Sequence, residues 1–486
     1  MTTGRTTRRG FLAVMAAGGA GAVLGACSSD SGPAPGTARR VVVAGAGLAG
    51  LTAATDLRDA GWDVIVLEAR DRVGGRVHTL HSPFEAGQYA EAGGESIDDN
   101  HTDIQALARR HGLTLVRRPT DKLANSAVFL HGARETFASL IQQDSGAAAF
   151  GYEAFSAAIL NAAPGLDPAH PERVADSAAV DARSLEDVLS TMHLGPGAEL
   201  LIRSNYRGNY NAELSQVSLL FVAQQELVDA NLPESGVETM RIAGGNDQLP
   251  RAMARALGTS VVLSAPVTRV SQRSWGVRVE AGGRSYDAAT LVLAVPPPPL
   301  RRVAFDPPLD AEVSAMIHRL DLGSALKVST QYRRRFWRGE GLSGFTVTDL
   351  PFGVSWDATD SQPGDASTPG ILTEFVTGDA ARAGARLSAA ERIRSFGSQL
   401  DRVYPEGGSL RTGATATTAW ADEPYTGGGY TVFAPGQFVP FWPLLRRRHG
   451  HLWFAGEHTE TLAGYMESAV RSGHRVAGAI GKPGST

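Results

Sequence analysis

Hydrophobic positions along the chain follow three rhythms. Val41-Val42-Val43 is an unbroken β-branched run, the pattern of a strand buried on both faces of a parallel sheet. Apolar spacing then becomes helical and returns to a short strand at 63–67, so 40–67 predicts a strand–helix–strand unit. Residues 452–455 predict another strand. The helix that follows, from near Gly464, places Met466, Ala469, Val470, Gly473, Val476, Ala477 and Ile480 on one buried face. The stretch 135–230, rich in Ala, Leu, Glu and Gln, predicts helical pieces, and 260–270 and 276–279 predict strands. The third rhythm is strict alternation in DLGSALKVSTQY, 321–332. Leu322, Ser324, Leu326, Val328, Thr330 and Tyr332 share one face; Gly323, Ala325, Lys327, Ser329 and Gln331 share the other. Alternation alone turns the second face to solvent and makes Lys327 a surface cation.

Length and composition add domain count and class. At 486 residues the chain exceeds one ordinary core, so two or three domains are expected. With 43% hydrophobic and 20% charged residues it is of globular type. No repeat or heptad is visible. Of 46 Lys and Arg only Lys122, Lys327 and Lys482 are lysine, so a lysine inside a strand asks for a reason.

Residues 1–26 resemble a Tat export signal: Arg8-Arg9, then Gly10-Phe11-Leu12 and a short Ala/Gly-rich apolar run. Leu24-Gly25-Ala26-Cys27 resembles a bacterial lipobox, with Cys27, the only cysteine, as the lipid-bearing first residue of the mature chain. Residues 27–38 then form a flexible tether. The expected location is the outer face of the cytoplasmic membrane, the protein being exported folded and anchored by lipid. Residues 1–26 hold three arginines and no acid, so without them the formal charge moves from −4 to −7. An acidic body argues against nucleic-acid binding. One cysteine excludes a disulfide and a cysteine-based metal site. His449-Gly450-His451 has no acid or cysteine spacing to support a metal, and Arg446-Arg447-Arg448 reads as a solvated loop.

The chemistry begins at Gly45-Ala46-Gly47-Leu48-Ala49-Gly50, between a strand and a helix, with Glu68 ending the second strand. The first glycine permits the tight turn, the second a close approach of pyrophosphate, the third helix–strand packing; Glu68 can accept from a ribose hydroxyl. The helix N-terminus attracts the phosphates. The extension Arg72-Val73-Gly74-Gly75-Arg76 resembles the R-x-G-G-R that follows this unit in flavoproteins and favours FAD over NAD.

With EAGGES (91–96), RIAGGNDQLP (241–250), LVLAVPPPPL (291–300), FDPPL (305–309), LGSALK (322–327), WADEPYTGGGY (420–430), FAGEHT (454–459) and GYMESAVRSG (464–473), the chain resembles the flavin-containing amine oxidases from Arg39 onward. That family includes monoamine, polyamine and L-amino-acid oxidases. The resemblance implies an α/β fold: a Rossmann-like (GR2-type) FAD-binding domain (39–115, 235–298, 412–486) interleaved with an α+β substrate-binding domain (116–234, 299–411). It implies cofactor contacts at Gly45, Gly47, Leu48, Ala49, Gly50, Glu68, Ala69, Arg70, Gly75, Arg76, Gly93, Gly94, Glu95, Val267, Trp420, Gly456, Glu457, Tyr465 and Met466. Gly429 stands where monoamine oxidases carry the flavin-tethering cysteine, so FAD is expected to be non-covalent. Lys327 matches the lysine that holds a water beside flavin N5, and Tyr430 and Tyr465 match the paired phenols of the aromatic cage.

The implied reaction takes a hydride equivalent from the carbon next to nitrogen and leaves an imine for hydrolysis. With no second dinucleotide fingerprint, O2 is the expected acceptor and H2O2 the product. L-amino-acid oxidases carry an arginine soon after E-x-G, whereas EAGGESIDDNH offers Glu95, Asp98 and Asp99. An amine or polyamine is therefore the first expectation and an amino acid, clamped by Arg203 or Arg207, the second. Asp98 could hold a distant ammonium but reads more simply as a solvated loop acid. A desaturase or porphyrinogen oxidase on the same scaffold, or a non-enzymatic flavin protein, are readings of other classes.

Overall fold

The computed structural model describes residues 37–119, 125–143, 147–232 and 236–481. The Tat-like segment, Cys27 and the tether as far as residue 36 lie outside them.

The valine run is the middle strand, Arg40–Ala44, of a five-stranded parallel sheet. Its order is Leu452–Phe454, Thr290–Leu293, Arg40–Ala44, Asp63–Leu67, Val261–Val262, so three distant stretches of chain meet in one sheet. Val41 and Val43 enter one apolar cluster and Val42 the other, which is why the run does not alternate. The helix Leu48–Asp59 leaves this strand and packs against the last helix, Met466–Ile480. They cross at Gly473, where a Cβ would stand 2.6 Å from the Ala49 carbonyl oxygen. Helices Ala147–Asn161, Pro196–Tyr210 and Leu219–Ala230 occupy the stretch predicted helical. Among the described residues no helix is long and apolar enough to cross a membrane.

A seven-stranded sheet has the order Arg411–Ala419, Ala325–Tyr332, Gly370–Thr377, Val354–Asp357, Thr346–Thr348, Ala127–Leu130, Ala133–Thr136. The strand from Arg411 thus crosses the expected boundary at 412, and Ala304–Asp306 pairs with Val267–Arg273 on the nucleotide side.

The expectation of a solvated face on the lysine strand is wrong. Every residue of Ala325–Tyr332 is buried. Leu326, Val328 and Tyr332 pack under the helix Ala389–Val403 with Phe396 and Leu400. The other face is polar because it meets polar protein: Gln331 Nε2 donates to the Glu85 carbonyl and Gln88 Oε1, and Ser329 shares a hydrogen bond with Thr373. Alternation reports a change of environment between faces, and here the second environment is the segment 85–95.

Candidate active site

The glycine loop has the geometry its spacing predicts. Gly45 has φ +102°, and a Cβ there would lie 2.6 Å from the Ala294 oxygen. At Gly50 a Cβ would fall 2.0 Å from the Gly45 oxygen, inside the helix–strand contact. At Gly47 the only neighbour is the Gly74 oxygen at 4.0 Å, so its open side faces the cavity it lines. Glu68 accepts from the backbone N–H of Ala46 at 2.8 Å and of Arg70 at 3.0 Å. It therefore stiffens the loop while presenting its remaining lone pairs to the cavity.

That cavity, of about 440 Å³, is bounded by both ends of the chain. Gly45, Leu48, Ala49, Glu68, Ala69, Arg70, Gly75, Arg76 and Gly94 come from one end, Val267 from the middle, and Tyr430, Gly456, Glu457, Tyr465 and Met466 from the other. Arg76 clasps them: its Nη1 donates to the Gly429 carbonyl and to Glu457 Oε1, both at 2.7 Å. Glu457 also accepts from Thr431 Oγ1 and the Gly464 N–H, each at 2.8 Å. Burial pushes its carboxyl up, but Arg76 prevails and the group stays below its ordinary range.

Gly50, Gly93, Glu95, Trp420 and Lys327 are not on the cavity wall. Gly93 is required for packing, since a Cβ would lie 1.8 Å from the Arg76 oxygen. Trp420 donates from Nε1 to the Ala92 carbonyl at 2.8 Å and packs behind the wall. Lys327 Nζ donates to the Glu91 carbonyl (3.1 Å), the Gly93 carbonyl (3.0 Å) and Glu95 Oε2 (2.8 Å). Arg241 and Trp356 Nε1 hold the other oxygen of Glu95. Burial works against the Glu95 charge, yet Lys327 and then Arg241 and Arg118 bring its pKa down to about 2. Glu91 goes the opposite way: burial, with Glu95 adding to it, raises it to about 8 against the Asn246 N–H.

Tyr430 and Tyr465 line the same cavity. Burial, followed by the charges of Glu238 and Glu95, pushes the Tyr430 phenol up to about 12. Tyr465 keeps 38% of its surface exposed, yet the protein around it also raises its phenol, first by desolvation and then by charge, Asp98 the largest. The His101 ring meets Tyr465 edge-on at 5.2 Å. Asp98 is not a solvated loop acid. It is 7% exposed, accepts from the Glu238 N–H at 2.6 Å and stands 3.6 Å from His101 Nε2. Burial, with Glu238 and Asp229 adding repulsion, raises it to about 6.

The family model for flavin containing amine oxidoreductases matches residues 48–481. This chain belongs to that family. It is 27% identical to an L-amino acid dehydrogenase of Synechocystis sp., over 92% of this chain and 96% of the relative. To flavin-containing amine oxidase B of Homo sapiens it is 28% identical, over 90% and 85%. A solved putrescine oxidase bound to putrescine superposes with TM-score 0.79 at 27% identity, covering 91% of this chain and 98% of that one. Cyclohexylamine oxidase from Brevibacterium oxydans gives 0.78 at 25% identity, with 91% and 98% covered. The protein is an FAD-dependent oxidoreductase acting on amines.

The residues fit that cofactor. His458, 1% exposed and on the cavity wall, has no partner for either ring nitrogen, as expected of a side chain whose partner is the bound group. The family's flavin-tethering position, Gly429, admits no side chain: a Cβ would meet Asn211 Nδ2 at 2.6 Å and Ala325 Cβ at 2.9 Å. FAD is held non-covalently. His458 escaped the sequence reading although it adjoins Glu457 in FAGEHT. Arg241 and Trp356 escaped because only long-range packing brings them here; His101 is three residues from Asp98, but its contact with Tyr465 is long-range. One smaller reading also changes: Arg446 is not solvated but donates to the Thr459 carbonyl at 2.8 Å. The His449 ring lies 2.7 Å from the Leu444 carbonyl. Among the described residues no three His, Cys, Asp or Glu side chains cluster so as to hold a metal ion.

Proposed function

We propose that this enzyme oxidises the C–N bond of a primary amine or polyamine to an imine, which water hydrolyses to an aldehyde and ammonia or an amine. The substrate gives up two electrons and two protons, and O2 takes them to become H2O2. FAD in the groove supplies the electron-accepting chemistry. The chain's own residues orient and shield: Tyr430 and Tyr465 are neutral phenols that offer apolar faces to an uncharged amine and exclude bulk water.

The observation that carries the amine reading is the charge around Tyr465. Asp98 stands 3.6 Å from His101, whose ring meets Tyr465 edge-on, and the backbone of Glu238 closes on the same carboxylate. An ammonium at the far end of a diamine would be stabilised there, and a carboxylate repelled. Of the arginines considered for a carboxylate clamp, Arg203 is committed to Glu186 and Glu199 at 2.8 Å. Relatives named for putrescine and cyclohexylamine support the same reading. The second reading, an L-amino-acid oxidase giving a 2-oxo acid, is favoured by the Synechocystis relative. The paired phenols weigh against a desaturase or porphyrinogen oxidase. A panel of monoamines, diamines and L-amino acids, assayed for peroxide with anaerobic flavin bleaching, separates the readings; bleaching by amino acids alone refutes the first.

Location belongs to the same proposal: Tat export of the folded protein and a lipid on Cys27 would leave the enzyme outside the cytoplasmic membrane. Cys27→Ser protein that remains firmly membrane-bound would refute the anchor.

A further inference from the structure

Away from the glycine loop, the wall of the cavity carries a stack of three side chains. Its centre is the Tyr425 ring, in the loop 423–427. The Arg70 guanidinium carbon lies 5.6 Å from the ring centroid, and that of Arg302 lies 5.7 Å from it. Arg70 stands two residues past Glu68, so the stack belongs to the half of the cavity built for the nucleotide. The N–H groups of Thr426 and Gly427 donate to the Glu423 carbonyl at 3.0 and 2.8 Å, which curls the loop. Arg70 Nη2 donates to Glu423 Oε2 at 3.1 Å and to Thr426 Oγ1 at 2.7 Å. Arg302 Nη2 donates to the Pro424 carbonyl. Gly427 has φ +78°, and a Cβ there would stand 2.7 Å from Pro298 Cβ. The loop therefore rests on the short proline-rich helix, Pro297–Leu300, that leads into Arg302.

Charge decides what this stack is for. Three arginines line the cavity: Arg70, Arg76 and Arg302. Arg70 is paired with Glu423 at 3.1 Å and Arg76 with Glu457 at 2.7 Å. Arg302 has no acid within ion-pair distance among the described residues; a carbonyl and an aromatic face hold it. A guanidinium held in that way keeps its full positive charge for a further partner. FAD brings one, because its pyrophosphate is an anion. We propose that Arg302 is a further cofactor-binding residue of this chain: with Tyr425 and Arg70 it closes the nucleotide end of the groove and supplies an unneutralised positive charge to the phosphates of FAD. The glycine loop offers those phosphates backbone N–H groups and a helix dipole. Arg302 adds a whole charge from the other side of the chain's topology. Arginine suits both duties, since a planar guanidinium stacks on the ring and carries charge, whereas lysine gives charge alone. The three members come from both ends and the middle of the chain, so no local motif announces Arg302 or Tyr425.

The inference rests on FAD occupying the groove and not on any substrate, so failure of the amine reading leaves it intact. The test is the equilibrium between purified holoprotein and free FAD. It is read as flavin fluorescence over a dilution series, at about 0.05 M and about 1 M salt. Arg302 is exposed, so salt screens its charge and its replacement spares the fold. Arg302→Gln should raise the Kd about three- to tenfold at low salt, and the difference from wild type should shrink to less than about twofold at high salt. Arg302→Lys keeps the charge and should retain most of the wild-type affinity at low salt. Tyr425→Ala removes the surface between the two guanidinium groups and should raise the Kd at both salts, whereas Tyr425→Phe should not. A change that merely loosens the loop loses the same factor at both salts, with R302K no better than R302Q. That result, or an R302Q Kd equal to wild type at low salt, overturns the inference.

Discussion

Glu374 lies directly behind the active-site strand and sets a pH limit on the fold. It pairs with Val328 on one side and Ser355 on the other, is 0% exposed, and has no hydrogen-bond partner for either carboxyl oxygen. Burial raises it to about 8, with Arg411 opposing and Asp401 adding. The sign follows from linkage. An acid that holds its proton more tightly in the fold than its ordinary 4.5 contributes stability that is complete below 4.5 and is lost as pH rises through about 8. At ~1.4 kcal/mol per pH unit, the loss between about pH 5 and about pH 8 comes to roughly 3.5 kcal/mol. Glu374→Gln keeps the shape and cannot ionise. Denaturant unfolding of FAD-loaded wild type and variant across this range should show the variant gaining on wild type by about that amount. Glu91 has the same shift, but it titrates in both proteins and cancels in the difference. If the two stability curves run parallel from about pH 5 to about pH 8, Glu374 is ionised in the fold and the reasoning fails.

Asp98→Asn should raise KM for a diamine about 10- to 100-fold, the loss of ~1.5–3 kcal/mol for a charge-assisted contact, and leave a monoamine of equal length within about threefold. An unchanged ratio of kcat/KM between the two would remove Asp98 from substrate binding. In wild type the same preference for the diamine should fade as pH falls below about 6, where Asp98 gains its proton, and steady-state kinetics on both amines would show it. His458→Phe should weaken FAD binding about tenfold, the value of one hydrogen bond, read as FAD fluorescence released on dilution. Gly429→Cys should destabilise the protein by about 1–3 kcal/mol through overpacking against Asn211 and Ala325. After acid precipitation its flavin should stay in the supernatant; yellow precipitate would contradict the geometry.

How much of this could be read from the sequence differs between the two halves of the site. The nucleotide loop was legible because its determinants are local. A strand, three glycines with three distinct steric duties, and an acid at the next strand end all fall between residues 41 and 68. The environment of Lys327 was not. Its partners are more than 230 residues away, and alternation cannot separate a solvated face from one covered by polar protein. What signalled it was the rarity of lysine. Asp98 was misread for a related reason: its loop is polar in sequence, but the segment around Glu238 closes over it and donates a backbone N–H to its carboxylate. His458 was within reach, since a histidine beside a cofactor motif has a stated chemistry, but nothing local shows that both its nitrogens lack protein partners.

The nucleotide side and the lysine-bearing sheet meet at a short segment, and there cofactor and substrate chemistry become one site. The segment from Glu91 to Glu95 supplies all three acceptors of Lys327, the carbonyl that receives Trp420, and a cavity wall at Gly94 against which Met466 packs. Gly93 touches the Arg76 carbonyl so closely that no side chain fits, and Arg76 in turn joins Gly429 to Glu457. A displacement of this segment would therefore move the lysine, the loop that carries Tyr430 and the FAD clasp together. The lysine belongs to one sheet and the glycine loop to the other, and this segment is where they meet.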